Sequence, residues 1–526
     1  ESTKGSENIE KTDGATEGTQ EETTEAPAVT ITYPLENAGS LRWFAKDGMD
    51  LPSDVLEVAD SKFHDNLIKL TGVDIQWEFV PIGGNSNVIY NLLITEDNLP
   101  HIITGSGTRY DELYEEGMIY DLTPYLPEYA PDYWAWLNKE ENEHILNTLK
   151  MEDGAIVAFL CGVEEGNCYS KGPMIRKDWL DECGLDIPYT LEEWETVLIA
   201  FKEKYGIAPF SAVKTNWKRG IALASGTGAH GGLSFSMYVE DGVVKCAQFD
   251  EEWREYITTL ARWYEMGLLS PDISNESKKT LLPKAASGEL GFVITDEAHA
   301  TKIPAETYKQ DPEAVWISIP YPVPQKGDSV TYSEYEGTDI DNVSFITKTC
   351  TEEELITAIK LLNYGYTEAG INFYNYGIEG ESWEYDENGE IRLIESFVSQ
   401  YDDSVQALNQ YSRMNDATCP SIKTNHYAKI RYDETTLEAF KNWSLNSVVL
   451  EYRIPELRYT ADEREAKADI ETRIDTFMLP FAEKLVLGHE KIDENTWAEM
   501  EKELLEMGVE ELIRIEQAAY DRAFGK

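Results

Sequence analysis

Strand and helix patterns alternate between residues 41 and 104, and this alternation constrains the fold more than any other feature. The expected strands are Leu41–Ala45, Val73–Val80 and His101–Thr104, with expected helices at Asp54–Leu70 and Asn87–Asp97. Strand, helix and strand at this spacing predict a parallel sheet with crossover helices. Open sheets of this kind bind ligands beyond the carboxyl ends of their strands. The pattern therefore predicts an α/β fold with a site at that edge.

Later helices carry their own start signals. Thr190 precedes an amphipathic stretch with acidic residues in its first turn, which is typical of an N-cap. Residues 351–354, Thr-Glu-Glu-Glu, match a capping box. Residues 251–267 and 462–524 are also helical in pattern. With 526 residues, 42% of them apolar, the chain can bury at least one large hydrophobic core, and we expect two.

The charge balance excludes several classes of partner. Lys and Arg number 45 against 98 Asp and Glu, which gives a formal net charge of −53. Nucleic acids and anionic lipids are bound through phosphate neutralisation by Lys and Arg, so we expect neither as a partner. A neutral or cationic ligand is expected instead. No apolar run approaches the roughly 18–20 residues that span a bilayer.

Cysteine and histidine are sparse and widely spaced. The six cysteines and seven histidines form no CxxC pair and show no metal-ligand spacing, so we expect no zinc site and no cofactor. The sequence allows either a disulfide between Cys161 and Cys168 or buried free thiols. We favour free thiols.

Residues 1–33 differ in composition from the rest of the chain. As far as Pro27, Ile9 is the one large aliphatic residue among Glu, Thr, Gly and Ser. Burial of such a segment cannot offset the entropy of ordering it, so we expect a disordered acidic leash. The sequence has no initiator Met and no signal peptide, which leads us to expect a processed or trimmed product.

Motifs for catalysis are weak. With 98 acidic residues, some pair of carboxylates always matches glycosidase spacing, so such a pair indicates little. No serine lies in a G-x-S-x-G elbow. The glycine-rich stretch Gly226–Gly232 lacks the context of a phosphate-binding loop. We therefore predict that the protein is not an enzyme.

Residues 384–395 allow two interpretations. They fall in the register of a twelve-residue calcium loop, with Gly389 sixth and Glu395 twelfth, but Glu384 stands where Asp is required. A β-hairpin with an Asn-Gly turn explains the same residues. We favour the hairpin and predict no metal ligands here.

Five segments, in order along the chain, resemble one protein family. They are residues 116–122 (EGMIYDL), 175–201 (IRKDWLDECGLDIPYTLEEWETVLIAF), 241–269 ending in MGLL, 363–380 (NYGYTEAGINFYNYGIEG) and 497–524 ending in AAYDRAF. This series resembles the extracellular solute-binding proteins of ABC transporters, family 1 of carbohydrate type, in the long lipoprotein branch found in Firmicutes. The resemblance covers roughly residues 41–524.

The resemblance implies a two-lobed, type II periplasmic-binding-protein-like fold. Each lobe would be a mostly parallel sheet flanked by helices, with the ligand in the cleft between the lobes. We expect the N-terminal lobe to comprise residues 34–168 and 323–378, and the C-terminal lobe residues 169–322 and 379–526.

The resemblance also implies a role and a location. A monomer would close on an oligosaccharide and deliver it to the permease subunits of an ABC importer. A lipidated cysteine just before the mature chain would tether it to the outer face of the cell membrane. Two alternatives stay open, namely a peptide or other polar solute as the ligand, and a surface adhesion protein without a transport role.

Aromatic side chains in loops are the strongest candidates for a sugar site. Such sites combine aromatic faces with hydrogen-bonding side chains. Aromatic residues inside predicted helices are instead expected in the core. The candidate ligand-binding residues are Trp217, Trp383, Trp43, Tyr335, Asp339, Asp341 and Tyr110.

Overall fold

The structure is a computed structural model of the 526-residue chain. It describes residues 29–46, 61–81, 84–96, 98–164, 169–335, 337–338, 340, 342–401, 404–414 and 420–525. Most of the expected leash and the first half of the helix expected at residues 54–70 therefore lie outside the described residues.

The described elements fall into four stretches of chain. The first contains β1 (Ser40–Ala45), α1 (Lys62–Thr71), β2 (Asp74–Phe79), α2 (Ser86–Leu93), β3 (Ile102–Gly105), α3 (Tyr110–Glu115), α4 (Leu126–Tyr129), α5 (Pro131–Leu137), α6 (Glu143–Leu149), β4 (Ala158–Leu160) and β5 (Gly162–Val163). The second contains β6 (Lys171–Arg176), α7 (Lys177–Cys183), α8 (Leu191–Tyr205), β7 (Phe210–Ala212), α9 (Lys214–Arg219), β8 (Met237–Glu240), β9 (Val243–Cys246), α10 (Glu251–Glu265), α11 (Lys278–Ala286), β10 (Phe292–Asp296), α12 (Glu297–Tyr308) and β11 (Trp316–Ser318). The third contains β12 (Val343–Ile346), α13 (Glu352–Asn363), α14 (Glu368–Tyr376), β13 (Trp383–Tyr385), β14 (Ile391–Leu393), α15 (Glu395–Val398), α16 (Ser404–Tyr411), β15 (Ile422–Lys423) and α17 (Asn425–Arg431). The last contains α18 (Glu434–Trp443), α19 (Ala461–Val486), α20 (Glu494–Met507) and α21 (Val509–Phe524).

The first sheet has five strands in the order β2-β1-β3-β12-β4. β1 pairs in parallel with β2 and β3, and Trp43 lies opposite both Trp77 and Ile102. β12 arrives from late in the chain and pairs antiparallel with β3 and β4. The predicted alternation of strands and helices is confirmed over the described residues, because β1, β2, β3 and α2 lie within a few residues of their expected bounds.

The second sheet has four strands in the order β11-β6-β10-β7. β7 and β10 are parallel, whereas β6 pairs antiparallel with β10 and β11. Helix α8 packs beside this sheet and begins as predicted, since the Thr190 side chain accepts a hydrogen bond from the Glu193 amide. It ends at Gly206, whose φ of 68° is the left-handed conformation that glycine adopts readily.

Two separate hydrophobic cores, one on each sheet, divide the molecule into two lobes. The first core also contains Trp383 and Tyr427, while Trp443 and the C-terminal helices belong to the second core. This distribution favours a final crossing between the lobes near residue 428. The boundary expected at residues 378–379 stays a prediction.

Three segments cross between the lobes side by side. The Gly162 amide donates to the Ser421 carbonyl at 2.8 Å, and β5 pairs in parallel with β15. The Val163 amide donates to Thr338 Oγ1 at 2.9 Å, which ties the return crossing to the first one. The two short strands and the segment at Thr338 together form the connection between the lobes.

The C-terminal region is helical, as predicted. Helix α19 begins with a capping box between Thr460 and Glu463 and packs against α10 of the second lobe. Helix α21 packs against α19 and also contacts α6 of the first lobe. None of the described helices is both long and apolar enough to cross a membrane.

The hairpin interpretation of residues 384–395 is confirmed. β13 and β14 pair antiparallel around the Asn-Gly turn. Asp386 Oδ1 accepts hydrogen bonds from the amides of Asn388 and Glu390 at 2.8 and 2.9 Å. These bonds, with Glu390 the larger contributor, lower the pKa of Asp386. In the part of the chain that the structure describes, no group of three or more His, Cys, Asp and Glu side chains is arranged to hold a metal ion.

Four of the six cysteines are free thiols in the structure, at Cys161, Cys183, Cys246 and Cys350. Burial raises the pKa of Cys246 and of Cys350 to about 12, so both thiols are inert at neutral pH. The favoured interpretation of buried free thiols thus agrees with Cys161, Cys246 and Cys350, while Cys168 lies outside the described residues.

Gly172 on β6 is held against the indole of Trp443. A Cβ at this position would lie 2.3 Å from Trp443 Cδ1, and the ring is fully buried. We expect Gly172→Ala to lower the free energy of unfolding by about 1–3 kcal/mol through overpacking. Urea denaturation followed by tryptophan fluorescence measures this change. Gly184→Asn, at an open left-handed position, is the control and is expected to change it by less than about 0.5 kcal/mol; equal losses in both variants would contradict the packing argument.

Candidate functional site

A crevice of about 1180 Å³ lies between the two lobes. Its first wall is formed by α3 and residues 147–154, and its second wall by residues 458–464 and 519–525. We call this space the interlobe crevice. Its volume exceeds the roughly 300–1,000 Å³ that is typical of small-molecule sites, so it can admit a ligand of several rings.

The position of α3 follows from the loop after β3. Gly107 and Arg109 both have positive φ, at 56° and 48°, and turn the chain sharply at the carboxyl end of the strand. The Tyr110 hydroxyl donates to the Ile340 carbonyl at 2.8 Å and fixes the first turn of the helix. Asp111 and Glu115, four residues apart, then share one face towards the crevice. The start of α3 therefore lies at the carboxyl edge of β3, the edge that the strand pattern predicts for a ligand site.

The charges of the interlobe crevice are divided between its walls. The first wall carries carboxylates and one cation, at Asp111, Glu115, Glu152, Asp153 and Lys150. The second wall carries three guanidinium groups, at Arg458, Arg464 and Arg522. One wall is therefore rich in hydrogen-bond acceptors, while the other presents donors.

Two ion pairs already join the walls. Arg464 Nη2 lies 2.6 Å from Glu115 Oε2, and Arg464 Nη1 lies 3.5 Å from Asp111 Oδ2. Burial acts to lower the pKa of Arg464, but the hydrogen bond to Glu115 and the nearby charge of Asp111 outweigh burial and raise this pKa. Arg522 pairs within its own lobe, at 2.5 Å from Glu463.

Arg458 is less completely paired than its neighbours. Its Nη2 donates to the Tyr110 hydroxyl, and its guanidinium lies 4.5 Å from the centre of the Tyr110 ring. Asp111 Oδ2 is 4.0 Å from Nη1, and no described group accepts a hydrogen bond from Nε. Burial, together with the nearby Arg464, lowers the pKa of Arg458 to about 10. This cation can therefore gain from an additional oxygen acceptor.

Aromatic rings contribute apolar surface to the same crevice. The Tyr114 hydroxyl donates to Asp153 Oδ2 at 2.8 Å, and burial followed by Asp153 raises the pKa of Tyr114 to about 12. The Tyr459 hydroxyl donates to Glu516 Oε2 at 2.8 Å, and burial followed by Glu516 also raises its pKa. Both phenols are thus neutral donors. Together with Phe524 they supply the ring faces that a sugar can pack against.

A smaller cavity of about 170 Å³ lies where the chain returns from the second lobe, and we call it the crossing pocket. Glu334 lines it and pairs with Lys171 Nζ at 3.0 Å and with Arg219 Nη1 at 2.8 Å. The Tyr335 ring meets the Tyr169 ring edge-on, with centres 5.6 Å apart. Charged and aromatic groups from two crossing segments thus converge in this pocket.

One segment connects the two cavities. Residues 453–460 have no regular secondary structure. The Arg453 guanidinium lies 5.6 Å from the centre of the Tyr335 ring, much as Arg458 lies over Tyr110. Five residues of chain span at most about 18 Å, so the Cα atoms of the two arginines lie within that distance of each other.

The predicted site residues are only partly brought together. Tyr110 and Tyr335 each lie under an arginine of the 453–460 segment, although Tyr110 is itself buried. Asp339 and Asp341 lie outside the described residues.

The three candidate tryptophans are each at most 3% exposed and lie in the cores. The Trp43 indole stacks on Trp77, with centres 4.8 Å apart. Trp383 Nε1 donates to the Gly377 carbonyl at 3.1 Å. Trp217 lies in the second core. Their role in stacking on a ligand stays a prediction.

Sequence reasoning missed the arginines of the second wall and Tyr114. One signal could have indicated the arginines. Arg458 and Arg464 flank the start of α19, where the helix dipole favours negative charge. Two arginines at the start of a helix therefore indicate that negative charge elsewhere stabilises them. In this structure the negative charge is that of the carboxylates on the first wall of the crevice.

Comparison with known proteins agrees with this architecture. The family model for bacterial extracellular solute-binding proteins matches residues 24–371, which is more than half of the chain. The polygalacturonan/rhamnogalacturonan-binding protein YtcQ of Bacillus subtilis is 22% identical over 428 residues, 77% of this chain and 78% of that protein.

Two further relatives align over shorter regions. Lipoprotein LipO of Bacillus subtilis is 23% identical over 47% of this chain, and the fructooligosaccharide ABC transporter substrate-binding protein FusA of Streptococcus pneumoniae is 24% identical over 50% of it. The aligned regions span about half the length of these two relatives, 48% and 51%.

Solved structures share the two-lobed fold. The alginate-binding protein AlgQ2 superposes with a TM-score of 0.67 at 19% identity, covering 94% of this chain and 100% of that one. An HMO-binding solute-binding protein from Bifidobacterium longum infantis superposes with a TM-score of 0.71 at 16% identity, covering 93% and 99%. The predicted two-lobed α/β fold is confirmed, and these neighbours are binding proteins rather than enzymes. From the extent of the family match, the chain belongs to the bacterial extracellular solute-binding proteins.

Proposed function

We propose that this protein captures a neutral oligosaccharide between its lobes and delivers it to the permease of an ABC importer. The observation that carries the proposal is the division of charge in the interlobe crevice, with carboxylates on the first wall and guanidinium groups on the second. The ligand would lie between these walls, against the faces of Tyr114, Tyr459 and Phe524.

Hydroxyl groups are the chemistry that suits such a pair of walls. A carboxylate only accepts hydrogen bonds and a guanidinium only donates them, whereas a hydroxyl does both. A sugar ring can therefore donate to Asp111 or Asp153 and accept from Arg458 at the same time. A ligand with one net charge would satisfy one wall and oppose the other, because unpaired buried charges are costly.

Closure follows from the same arrangement. The Arg464 pairs with Glu115 and Asp111 bring the walls together, and a ligand held by both walls adds contacts that only the closed state offers. A ligand shifts such an equilibrium by the difference in its affinity for the two states. Rotation about the three crossing segments would supply the motion.

Delivery and location rest on the relatives. FusA is described as an ABC transporter substrate-binding protein and LipO as a lipoprotein. By analogy, this protein would work as a monomer at the outer face of the cell membrane, tethered by a lipid anchor, with permease subunits as its partners. Of the predicted ligand-binding residues, we propose that Tyr110 and Tyr335 act through the arginines that cover them.

Isothermal titration calorimetry tests the ligand class. Kestose and longer neutral fructo-oligosaccharides are titrated in parallel with a trimer of galacturonic acid and with a tripeptide. We expect at least one neutral oligosaccharide to bind with a Kd in about the micromolar range, near −8 kcal/mol, and more tightly than the acidic trimer. Binding of the tripeptide alone would overturn the proposal in favour of a peptide carrier. Tighter binding of the acidic trimer would refute the neutral ligand while preserving the carbohydrate.

A further inference from the structure

Helix α21 carries a carboxylate on its buried face. The apolar residues of that face follow helical spacing and include Val509, Leu512 and Ala519. Glu516 lies on the same face and is 2% exposed. Replacing a buried ion pair by apolar residues of similar volume is often neutral or stabilising, so packing of the core does not explain a carboxylate here. A residue that breaks the pattern of its helix in this way favours a functional role.

Both carboxylate oxygens of Glu516 are engaged by the region where α19 begins. Oε2 accepts a hydrogen bond from the Tyr459 hydroxyl at 2.8 Å, and Oε1 is paired with Lys467 Nζ. Lys467 also pairs with Glu471 at 2.5 Å. Burial acts to lower the pKa of Lys467, but the charge of Glu516, followed by the hydrogen bond to Glu471, outweighs burial and raises this pKa. The lysine thus stays charged and holds Glu516 with one oxygen directed at the phenol.

Tyr459 is held at both its side chain and its backbone. Glu516 fixes the hydroxyl, and the Tyr459 carbonyl accepts a hydrogen bond from Arg464 Nη1 at 2.6 Å. The carbonyl of Arg458, one residue earlier, accepts from Arg522 Nη2 at 3.0 Å. A tyrosine has only two side-chain torsions, so these bonds select one orientation of its ring. This ring is one of the apolar faces that line the interlobe crevice.

We propose that Glu516 is a positioning residue of the oligosaccharide site and acts through Tyr459. The carboxylate lies behind the second wall and does not itself line the crevice, so the phenol is its route to a bound sugar. A ring that is already oriented need not be ordered when the ligand binds, and this difference is worth about 2- to 12-fold in affinity. The inference rests on the proposed function, because it requires a sugar that packs against Tyr459.

Calorimetry with kestose and longer neutral fructo-oligosaccharides tests the role in the full chain. Glu516→Met keeps the length of the side chain but removes the acceptor for the phenol. We expect it to weaken binding of the tightest of these sugars by about 2- to 12-fold. Glu516→Gln keeps an oxygen that can accept from the hydroxyl and is expected to recover most of the loss. Thermal denaturation checks that both variants fold.

Two controls separate positioning from a general effect on stability. Tyr459→Phe removes the hydroxyl that links the ring to Glu516, so adding Glu516→Met to this variant should weaken binding no further. Glu276 is a matched buried carboxylate that does not line the crevice: it is 1% exposed, is paired with Lys284, and accepts from Thr280 Oγ1 at 2.6 Å. We expect Glu276→Met to lower the melting temperature and to leave affinity unchanged.

The hydroxyl proton of Tyr459 gives a readout that needs no ligand. Because it donates to a buried carboxylate, it should exchange slowly with water and give a resonance correlated with its own ring in ¹³C-tyrosine-labelled protein. This resonance, from one of 30 tyrosines, is assigned by its loss in Tyr459→Phe. We expect it to disappear in Glu516→Met and to persist in Glu516→Gln.

The outcomes distinguish the positioning role from the proposed function. Wild-type affinity in Glu516→Met, or the same loss with and without the Tyr459 hydroxyl, would refute the positioning role even though an oligosaccharide binds. An equal loss of affinity in Glu276→Met would refute it as well, because any buried carboxylate of the lobe would then have the same effect. A wild-type chain that binds none of the oligosaccharides while the Tyr459 hydroxyl resonance is present would refute the proposed function and leave Glu516 a purely structural residue.

Discussion

Trp217→Ala is expected to lower the free energy of unfolding of the second lobe by about 3–5 kcal/mol. The Trp217 side chain is 1% exposed and belongs to the second core, so truncation leaves a large cavity. Its Nε1 has no acceptor among the described residues, and the loss is therefore one of packing. Urea denaturation monitored by circular dichroism measures it.

The same variant decides whether Trp217 touches the ligand. If its role is packing, the folded fraction of Trp217→Ala at low temperature should bind an oligosaccharide with nearly the affinity of wild type. Trp217→Phe, which keeps most of the ring volume, should regain much of the stability. A variant of wild-type stability whose affinity falls tenfold or more would support the stacking role predicted from the sequence.

Arg458→Met is expected to weaken oligosaccharide binding by about 10- to 150-fold, which corresponds to about 1.5–3 kcal/mol. Methionine preserves the length and apolar stem of the side chain but removes every donor. The hydrogen bond to Tyr110 and the donors that face the crevice are lost together. Calorimetry with the oligosaccharide that binds wild type most tightly measures the change.

Arg514→Met is the matched control for this prediction. Arg514 lies on α21 and pairs with Glu511 one turn away, with both side chains largely exposed. Its replacement removes an arginine from the same C-terminal part of the chain without touching the crevice, so affinity should stay unchanged. Wild-type affinity in Arg458→Met would contradict the assignment of the arginine wall, and an equal loss in both variants would indicate a general charge effect.

Much of the fold could be predicted because its signals are local. The alternation of strand and helix patterns between residues 41 and 104 encodes β1, β2 and β3 of the first sheet. N-cap residues such as Thr190 and Thr351 encode the starts of their helices. Which strand pairs with which is not local. β12 inserts between β3 and β4 although it lies far along the chain from both. Likewise, residues between Trp383 and Tyr427 return to the first core. The periodicity of the sequence indicates neither of these pairings.

The site was harder to predict for the same reason. Trp43 and Trp383 lie in the cores because neighbours from other elements cover them, and such coverage is not encoded in the local sequence. Arg458 and Arg464 matter through carboxylates that are more than 300 residues away in sequence. Tyr110 and Tyr335 could be selected as aromatic residues next to strands, but the arginines that cover them arrive from the C-terminal region.

Small-angle X-ray scattering with and without a bound oligosaccharide tests the central claim of capture by lobe closure most directly. The experiment uses the full chain and the oligosaccharide of highest affinity, at a concentration that saturates binding. We predict that the radius of gyration decreases on binding and that Arg458→Met shows a smaller decrease at the same ligand concentration. Identical scattering with and without a ligand that calorimetry shows to be bound would contradict the account and favour a surface protein that binds sugar without closing.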